Sequence, residues 1–275
     1  MYMFIDTHSH LYLGKLADNI PHAIQNLREN NFSHSIQIGT SILSSLTCIE
    51  LARKYSILKA TIGIHPCEAQ DMDIDTIPQT ILELEKMLCS RDRENIVALG
   101  EIGFDEYHLS WDDDESEKQK NRQRDWFEAQ TALALKYNLP VVIHTRNCPE
   151  RTLEALRNSW LKKFVIHCFS ENWDFAQKIF SICPEAKISF TGILTYPQSF
   201  DVQEVAKKSP LERIMLETDA PYIIPQQMKW KTKYCEPMFT KYIFETLCTL
   251  RNEDKDVIES TLWWNSVDFF NLSEL

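Results

Sequence analysis

The sequence predicts an α/β fold, a single (β/α)8 barrel of the TIM type that occupies residues 1–275 as one domain. Short apolar, β-rich runs alternate with helical patterns, which is typical of parallel strands joined by crossover helices. The predicted strands lie at 3–7, 34–39, 58–64, 95–101, 140–144, 163–167, 186–191 and 213–218. The predicted helices lie at 19–30, 44–55, 78–90, 115–138, 149–160, 172–182, 199–208, 236–250 and 254–271. An open doubly wound sheet is the alternative, but no glycine-rich nucleotide loop follows a strand.

The helix predicted at 115–138 shows the helical spacing most clearly. Trp126, Leu133 and Tyr137 recur at steps that keep one stripe of the helix facing the core. An acidic run, residues 112–117, lies just before this helix and could attract a metal ion. We favour a simpler interpretation, in which the acids stabilise the first helical turn through the helix dipole.

Composition narrows the class of protein. The chain has 275 residues, 44% of them hydrophobic, which is enough for a full core. No stretch resembles a signal peptide or a membrane span, so we expect a cytoplasmic protein with no membrane partner. The eight cysteines show no C-x-x-C spacing, and we expect free thiols without disulfides or a zinc knuckle. A net charge of −11 makes a broad nucleic-acid-binding surface less favoured without excluding a local one.

Histidines and carboxylates gather at the ends of the predicted strands. Residues at i and i+2 of a strand point to the same face, so His8 and His10 can meet one ion. Five of the eight histidines lie at strand ends. With two carboxylates they form one set, namely His8, His10, His65, Glu101, His144, His167 and Asp219. Each residue alone is explained by a hydrogen bond at the rim, a helix cap or a turn.

Together these residues predict a metal centre, because the active site of such a barrel lies where the carboxyl ends of its strands converge. Clustered polar groups need partners once water is displaced, and a metal ion supplies them. Imidazoles with carboxylates suit zinc, manganese or iron, and magnesium where oxygen ligands dominate. A carboxylate such as Glu101 can bridge two ions, as in two-metal phosphoryl displacement.

Six ordered segments resemble the signature blocks of the TatD family of metal-dependent deoxyribonucleases, within the amidohydrolase superfamily. In this chain the segments are Asp6–Leu11, Gly63–Pro66, Gly100–Asp105, Pro140–Arg146, His167–Ser170 and Glu217–Tyr222. The resemblance covers nearly the whole chain. It implies a TIM-type barrel and hydrolysis of DNA phosphodiester bonds with divalent metal ions, often as a 3′ to 5′ exonuclease.

The resemblance also implies roles for individual residues. The family's metal ligands fall on residues that the strand-end pattern had selected, with Glu101 in the bridging role: His8, His10, Glu101, His144, His167 and Asp219. His65 and Arg146 match positions that we assign to the substrate phosphate or to water at the metal. A salt bridge at the rim is the alternative for Arg146.

Two departures from the family pattern affect the substrate more than the metal. Glu171 stands where the family commonly has glycine, and it would disfavour a phosphate unless it points away from the mouth. Cys235 replaces the asparagine of an Asn-Glu-Pro segment, which would change support of the loop after the last strand.

The segment Lys229–Tyr234 interleaves bases and aromatic residues in that same loop. Lys229 and Lys231 would contact phosphates while the rings stack on bases of a single strand. The alternative is a lid that packs Trp230 into the barrel.

These patterns predict a DNase whose substrate is single-stranded DNA or 3′ ends. Two divalent ions, Mg²⁺, Mn²⁺ or Zn²⁺, are the expected cofactors. Glu101, His65 and Asp219 are the predicted catalytic residues, with Asp219 accepting or orienting the proton of the attacking water. A C–N hydrolase of the same superfamily and a metal- or nucleic-acid-binding scaffold without turnover are the alternatives. The oligomeric state stays open, with a monomer plausible.

Overall fold

A single sheet of eight parallel strands forms the centre of the computed structural model, which describes residues 3–272. The strands pair in chain order: β1 (Phe4–Ser9), β2 (Phe32–Gln37), β3 (Leu58–Ile62), β4 (Ile96–Asp105), β5 (Val141–Arg146), β6 (Phe164–Ile166), β7 (Lys187–Phe190) and β8 (Ile214–Leu216). A parallel bridge between Ser9 and Ala220 joins the two edges just beyond β8. The (β/α)8 barrel is therefore confirmed, whereas its extent as one domain over 1–275 stays a prediction.

Helices follow the strands and surround the barrel. They are α1 (Gly14–Ala17), α2 (Ile20–Glu29), α3 (Ile42–Lys54), α4 (Pro66–Ala69), α5 (Ile77–Leu88), α6 (Asp113–Tyr137), α7 (Pro149–Asn158), α8 (Trp173–Ile182), α9 (Phe200–Lys208), α10 (Thr240–Leu250) and α11 (Lys255–Phe270). Short 3₁₀ turns cover Ile74–Thr76, Arg93–Asn95, Gly192–Thr195, Leu211–Arg213 and Pro237–Phe239. The nine predicted helices are all present. The four-residue helices α1 and α4 are too short to show a helical period in sequence.

Helix α6 confirms the interpretation of the acidic run. The Asp112 side chain caps the helix, accepting a hydrogen bond from the Glu115 backbone amide at 2.9 Å. Trp126 and Leu133 are buried on the face that meets the barrel. The acids therefore begin a helix rather than line a metal site.

Strand β4 is longer than the sequence predicts, and this changes where Glu101 sits. The strand runs to Asp105, so Glu101 lies inside it rather than at its end. The register against β5 shifts between Leu99 and Ile102. Gly103 has φ 142°, and a Cβ there would lie 2.0 Å from the His144 carbonyl oxygen. Glycine at this position thus lets β4 approach β5 beside His144.

Two composition-based expectations have structural counterparts. All eight cysteines are free thiols in the structure. Among residues 3–272, no helix combines the length and the apolar character needed to cross a membrane.

His34 in β2 is a buried histidine remote from the strand ends. His34 is 3% exposed, and its Nδ1 atom has no hydrogen-bond partner in the described part of the chain. Burial, with a contribution from Lys59, lowers the pKa of His34 to about 4. Between that pKa and the ordinary value near 6.5, the unfolded chain binds a proton that the folded chain rejects.

We therefore expect the free energy of unfolding to fall as the pH drops from about 6.5 towards about 4. Between about pH 7.5 and about pH 5, the free energy of unfolding should fall by about 2 kcal/mol less in His34→Leu than in the wild type. Urea unfolding of the wild type and the variant at both pH values measures the difference. His22→Leu, which alters an exposed histidine of α2, is the control. Equal acid sensitivity of wild type and His34→Leu would show that His34 titrates normally.

Candidate metal centre

Glu101 lies at the centre of the polar cluster at the carboxyl end of the barrel. One carboxylate oxygen, Oε1, is 2.8 Å from both His144 Nδ1 and His167 Nε2, and 3.3 Å from His65 Nε2. The other oxygen, Oε2, is 3.4 Å from His8 Nε2. Four imidazoles from β1, β5 and the ends of β3 and β6 therefore surround one buried carboxylate.

Asp219 forms the second half of the cluster, just after β8. Its Oδ1 atom is 3.6 Å from His8 Nε2 and 3.5 Å from His10 Nε2. Asp219 adopts φ 53°, and its backbone amide donates to the His8 carbonyl at 2.9 Å. His8 thus lies between the two carboxylates. The structure brings together all seven residues that the sequence singled out at strand ends.

Outer partners fix the orientation of three imidazoles. His10 Nδ1 is 3.3 Å from the Ile38 carbonyl oxygen, an acceptor, so this nitrogen carries the proton and Nε2 faces the cluster with a lone pair. Buried carboxylates orient the other two imidazoles, those of His144 and His167. Asp105 Oδ2 is 3.0 Å from His144 Nε2, and Glu217 Oε1 is 3.3 Å from His167 Nδ1.

Asp105 and Glu217 belong to the cluster, although the sequence pattern did not single them out. Both lie inside the segments Gly100–Asp105 and Glu217–Tyr222, yet neither received a role. Each is 1% exposed, and burial of a carboxylate at a strand end is the signal that marks them. Sequence alone does not show which imidazole such a carboxylate will meet.

Charge in the cluster favours a bound cation. Burial raises the pKa of Glu101, but the neighbouring His167, His65 and His8 lower it by a larger amount. The pKa of Glu101 therefore lies well below the ordinary value. Burial lowers the pKa of His167, yet Glu101 and Glu217 outweigh it and hold that pKa well above the ordinary value. Burial dominates at His8, whose pKa is lowered. Glu101 is therefore an anion that draws positive charge to its neighbours.

The donor geometry fits metal ions. His144 Nε2 can donate to Asp105, and His167 Nδ1 can donate to Glu217. The other ring nitrogens, His144 Nδ1 and His167 Nε2, lie 3.2 Å apart and then direct lone pairs towards Glu101. A cation between them satisfies all three groups. In addition, His8 is fully buried, and within residues 3–272 neither of its ring nitrogens has a hydrogen-bond partner. Such an unsatisfied polar group costs about 1–3 kcal/mol unless it is ligated.

A cleft of about 760 Å³ opens above the cluster. Arg146 lines it and stacks on the Tyr107 ring, with Cζ 3.9 Å from the ring centroid. The Arg146 side chain lines the cleft, and both the phosphate contact and the rim salt bridge stay predictions. Glu171 also lines the cleft rather than pointing away, and partial burial raises its pKa. Tyr222, 61% exposed, lies on the opposite side of the cluster beside His10.

The segment Lys229–Tyr234 of the loop after β8 does not line this cleft, whereas Tyr222 and Ile223 of the same loop do. Trp230 is 89% exposed, so the prediction of a lid that packs Trp230 into the barrel is wrong. Lys229 lies over the Tyr196 ring at 5.4 Å, and Lys231 is exposed. Neither lysine lines the cleft, so their contact with substrate stays a prediction. Cys235 is buried and its amide donates to the Pro221 carbonyl at 2.9 Å, so the backbone supports the loop there.

A barrel with a histidine and carboxylate cluster at the carboxyl ends of its strands defines a metal-dependent hydrolase. The model of the family described as TatD related DNase matches residues 5–271, and the chain belongs to that family.

Relatives and solved structures agree with this family. An uncharacterized metal-dependent hydrolase, YabD of Bacillus subtilis, is 28% identical over 98% of this chain and 100% of its own. A protein of Edwardsiella piscicida named 3′-5′ ssDNA/RNA exonuclease TatD is 29% identical over 98% of this chain and 100% of its own. The crystal structure of YjjV, a TatD homologue from Escherichia coli, superposes with a TM-score of 0.87 at 28% identity, covering 98% of both chains.

We expect Glu217→Gln to weaken metal binding by about 10–100-fold, because the substitution removes the charge that orients His167. Titration of metal-free protein with Zn²⁺ against a competing chelator measures this affinity. Glu212→Gln changes an exposed glutamate nearby and should leave it unchanged. Unaltered affinity in Glu217→Gln would mean that His167 needs no charged partner.

Proposed function

We propose that the chain hydrolyses phosphodiester bonds of DNA and acts as a 3′ to 5′ exonuclease on single strands or 3′ ends. The buried cluster around Glu101 carries this proposal, because its donor set suits divalent ions that act on phosphoryl groups. The relative named 3′-5′ ssDNA/RNA exonuclease supports the choice of nucleic acid. Cytoplasmic localisation, expected from the sequence, stays a prediction.

The proposed metal ligands are the six residues predicted from the sequence: His8, His10, Glu101, His144, His167 and Asp219. Glu101 faces His8 with one carboxylate oxygen, Oε2, and faces His144 and His167 with the other, Oε1. This division supports two ions, with Mg²⁺, Mn²⁺ or Zn²⁺ as candidates. When bound, such ions lower the pKa of water and polarise phosphoryl oxygens.

The protein's own groups then position substrate and move the proton. Asp219, with a pKa held low by His10 and His8 despite burial, is an anion that accepts or orients the proton of the attacking water. His65 turns Nε2 into the cluster, since its Nδ1 accepts from the Cys67 amide at 3.1 Å. It is placed to donate to a phosphate oxygen.

Arg146 supplies a planar cation at the cleft wall, where its donors suit the non-bridging oxygens of a phosphodiester. The stack on Tyr107 holds the guanidinium in place. Glu171 opposes phosphate at the same cleft unless it is protonated. The net preference for a phosphodiester therefore depends on metal charge together with Arg146.

C–N hydrolysis is the second candidate reaction, because related barrels use similar ligands. Those enzymes often have a carboxylated lysine where this chain has Glu101. Comparing DNA oligonucleotides with amide substrates discriminates between the reactions. A scaffold without turnover is disfavoured by the complete cluster, from which no expected ligand is missing.

Protein stripped with chelator should lose nuclease activity and regain it with Mg²⁺, Mn²⁺ or Zn²⁺. Digestion of single- and double-stranded DNA labelled at either end measures activity and polarity. Activity that survives complete metal removal would refute the proposed chemistry. Activity on amides alone would favour the second candidate reaction.

Glu101→Ala and Asp219→Asn should each lower kcat by at least about 10²-fold, because they remove charges that act on the reacting groups. Their melting temperatures should stay close to that of the wild type. Asp174→Asn, an exposed change on α8, is the matched control. Full activity in both site variants would mean that the site is misassigned.

Arg146→Ala should reduce kcat/KM on DNA by about 10²-fold, through loss of charge stabilisation on the phosphate. Arg157→Ala removes an exposed arginine that does not line the cleft and should have no effect. Steady-state kinetics on a single-stranded oligonucleotide provide the measurement. Equal losses in both variants would indicate a nonspecific effect of net charge.

A further inference from the structure

Three potential ligands cluster beside the centre but outside the six proposed ligands. They are Cys67 in α4, Asp105 at the end of β4, and His108 in the loop that follows. His108 Nδ1 is 3.0 Å from Asp105 Oδ2 and 3.6 Å from Cys67 Sγ. Thiol, carboxylate and imidazole thus approach one point from two separate segments of the chain, one at α4 and one at the end of β4.

The Asp105 carboxylate is fixed in the orientation that this point requires. Its Oδ1 atom accepts the backbone amides of Tyr107 at 2.9 Å and His108 at 3.0 Å. The other oxygen, Oδ2, is left to face His108 and, at 3.0 Å, His144 Nε2. Gln70 donates to the His108 carbonyl at 3.2 Å and holds the loop in place.

We propose that Cys67 Sγ, Asp105 Oδ2 and His108 Nδ1 form an additional site for a zinc ion, separate from the proposed two-ion centre. Around a tetrahedral Zn²⁺, nitrogen and oxygen ligands lie about 3.4 Å apart, and nitrogen and sulfur about 3.6 Å apart. The observed separations of 3.0 and 3.6 Å need only small adjustments. A thiolate selects zinc over magnesium, so this site differs in preference from an oxygen-rich one.

The proposed zinc site is accessible from solvent. The His108 side chain is 47% exposed, whereas Asp105 is buried, so the site is open on one side only. Water can complete the coordination from that side. The alternative is a hydrogen-bonded triad without metal, in which His108 donates to Asp105.

An ion here would join the segment after β3 to the loop after β4. His108 is next to Tyr107, the residue on which Arg146 stacks, and the rings of Tyr107 and His108 are 4.9 Å apart. Asp105 also contacts His144. The site would therefore stabilise the cleft wall that presents Arg146, whatever the substrate.

Cobalt substitution tests the site directly. A cysteine thiolate bound to Co²⁺ gives a charge-transfer absorption in the near ultraviolet, whereas the six proposed ligands offer only nitrogen and oxygen. We expect Co²⁺-loaded wild type to show this band and Cys67→Ser to lose it. Cys168→Ser, which alters a cysteine that lines the cleft, should keep it. Zinc content should fall by about one equivalent in Cys67→Ser.

His108→Ala provides a second test, because the residue is exposed and its loss should leave folding intact, as circular dichroism would verify. This variant should also lose about one equivalent of zinc. A wild type without the band at full Co²⁺ loading, or a band that persists in Cys67→Ser, would overturn the site and leave only the hydrogen-bonded triad. Nuclease assays test the proposed substrate independently of the zinc site. A protein that shows the cobalt–thiolate band but is inactive on DNA would support the zinc site and refute the proposed substrate.

Discussion

Burial of the Glu101 carboxylate in the mouth of the barrel is the constraint on which the rest of the site depends. An isolated carboxylate in such a place costs several kcal/mol, and the protein offsets this with imidazoles from four separate strand ends. Those imidazoles can converge only because parallel strands end at the same rim. The close approach of β4 and β5 at Gly103 then sets His144 beside Glu101.

Charge in the site is arranged in two layers. The inner layer is Glu101 and Asp219 with their histidines, and the outer layer is Asp105 and Glu217, each buried behind one imidazole. The outer carboxylates keep the inner nitrogens turned towards the centre, so the cavity favours cations before any substrate arrives. Under the proposed function, the positive charge that a polyanionic substrate needs would come mainly from bound metal, because the protein itself carries a net charge of −11.

The cleft around the proposed metal centre contains groups that favour a phosphate and one that disfavours it. Arg146 on its Tyr107 platform and the exposed Tyr222 ring suit a phosphate and a base, whereas Glu171 opposes the phosphate. The basic loop Lys229–Tyr234, which looked like a nucleic-acid contact, lies away from the cleft lining. Under the proposed function, substrate selection would depend on few groups close to the proposed metal centre, and a longer DNA strand would have to cross the surface to reach that loop.

The sequence by itself determined the barrel and the seven polar residues at strand ends, because strand and helix periods and the position of a residue along a strand are local properties. It also indicated that the acidic run belongs to the first turn of α6, although the helix begins at Asp113 rather than at 115. Only the tertiary structure decided that Glu101 lies inside β4, that Asp105 and Glu217 support His144 and His167, and that Trp230 is exposed. These depend on strand register and on contacts between residues far apart in the chain, such as Arg146 and Tyr107, which no local pattern encodes.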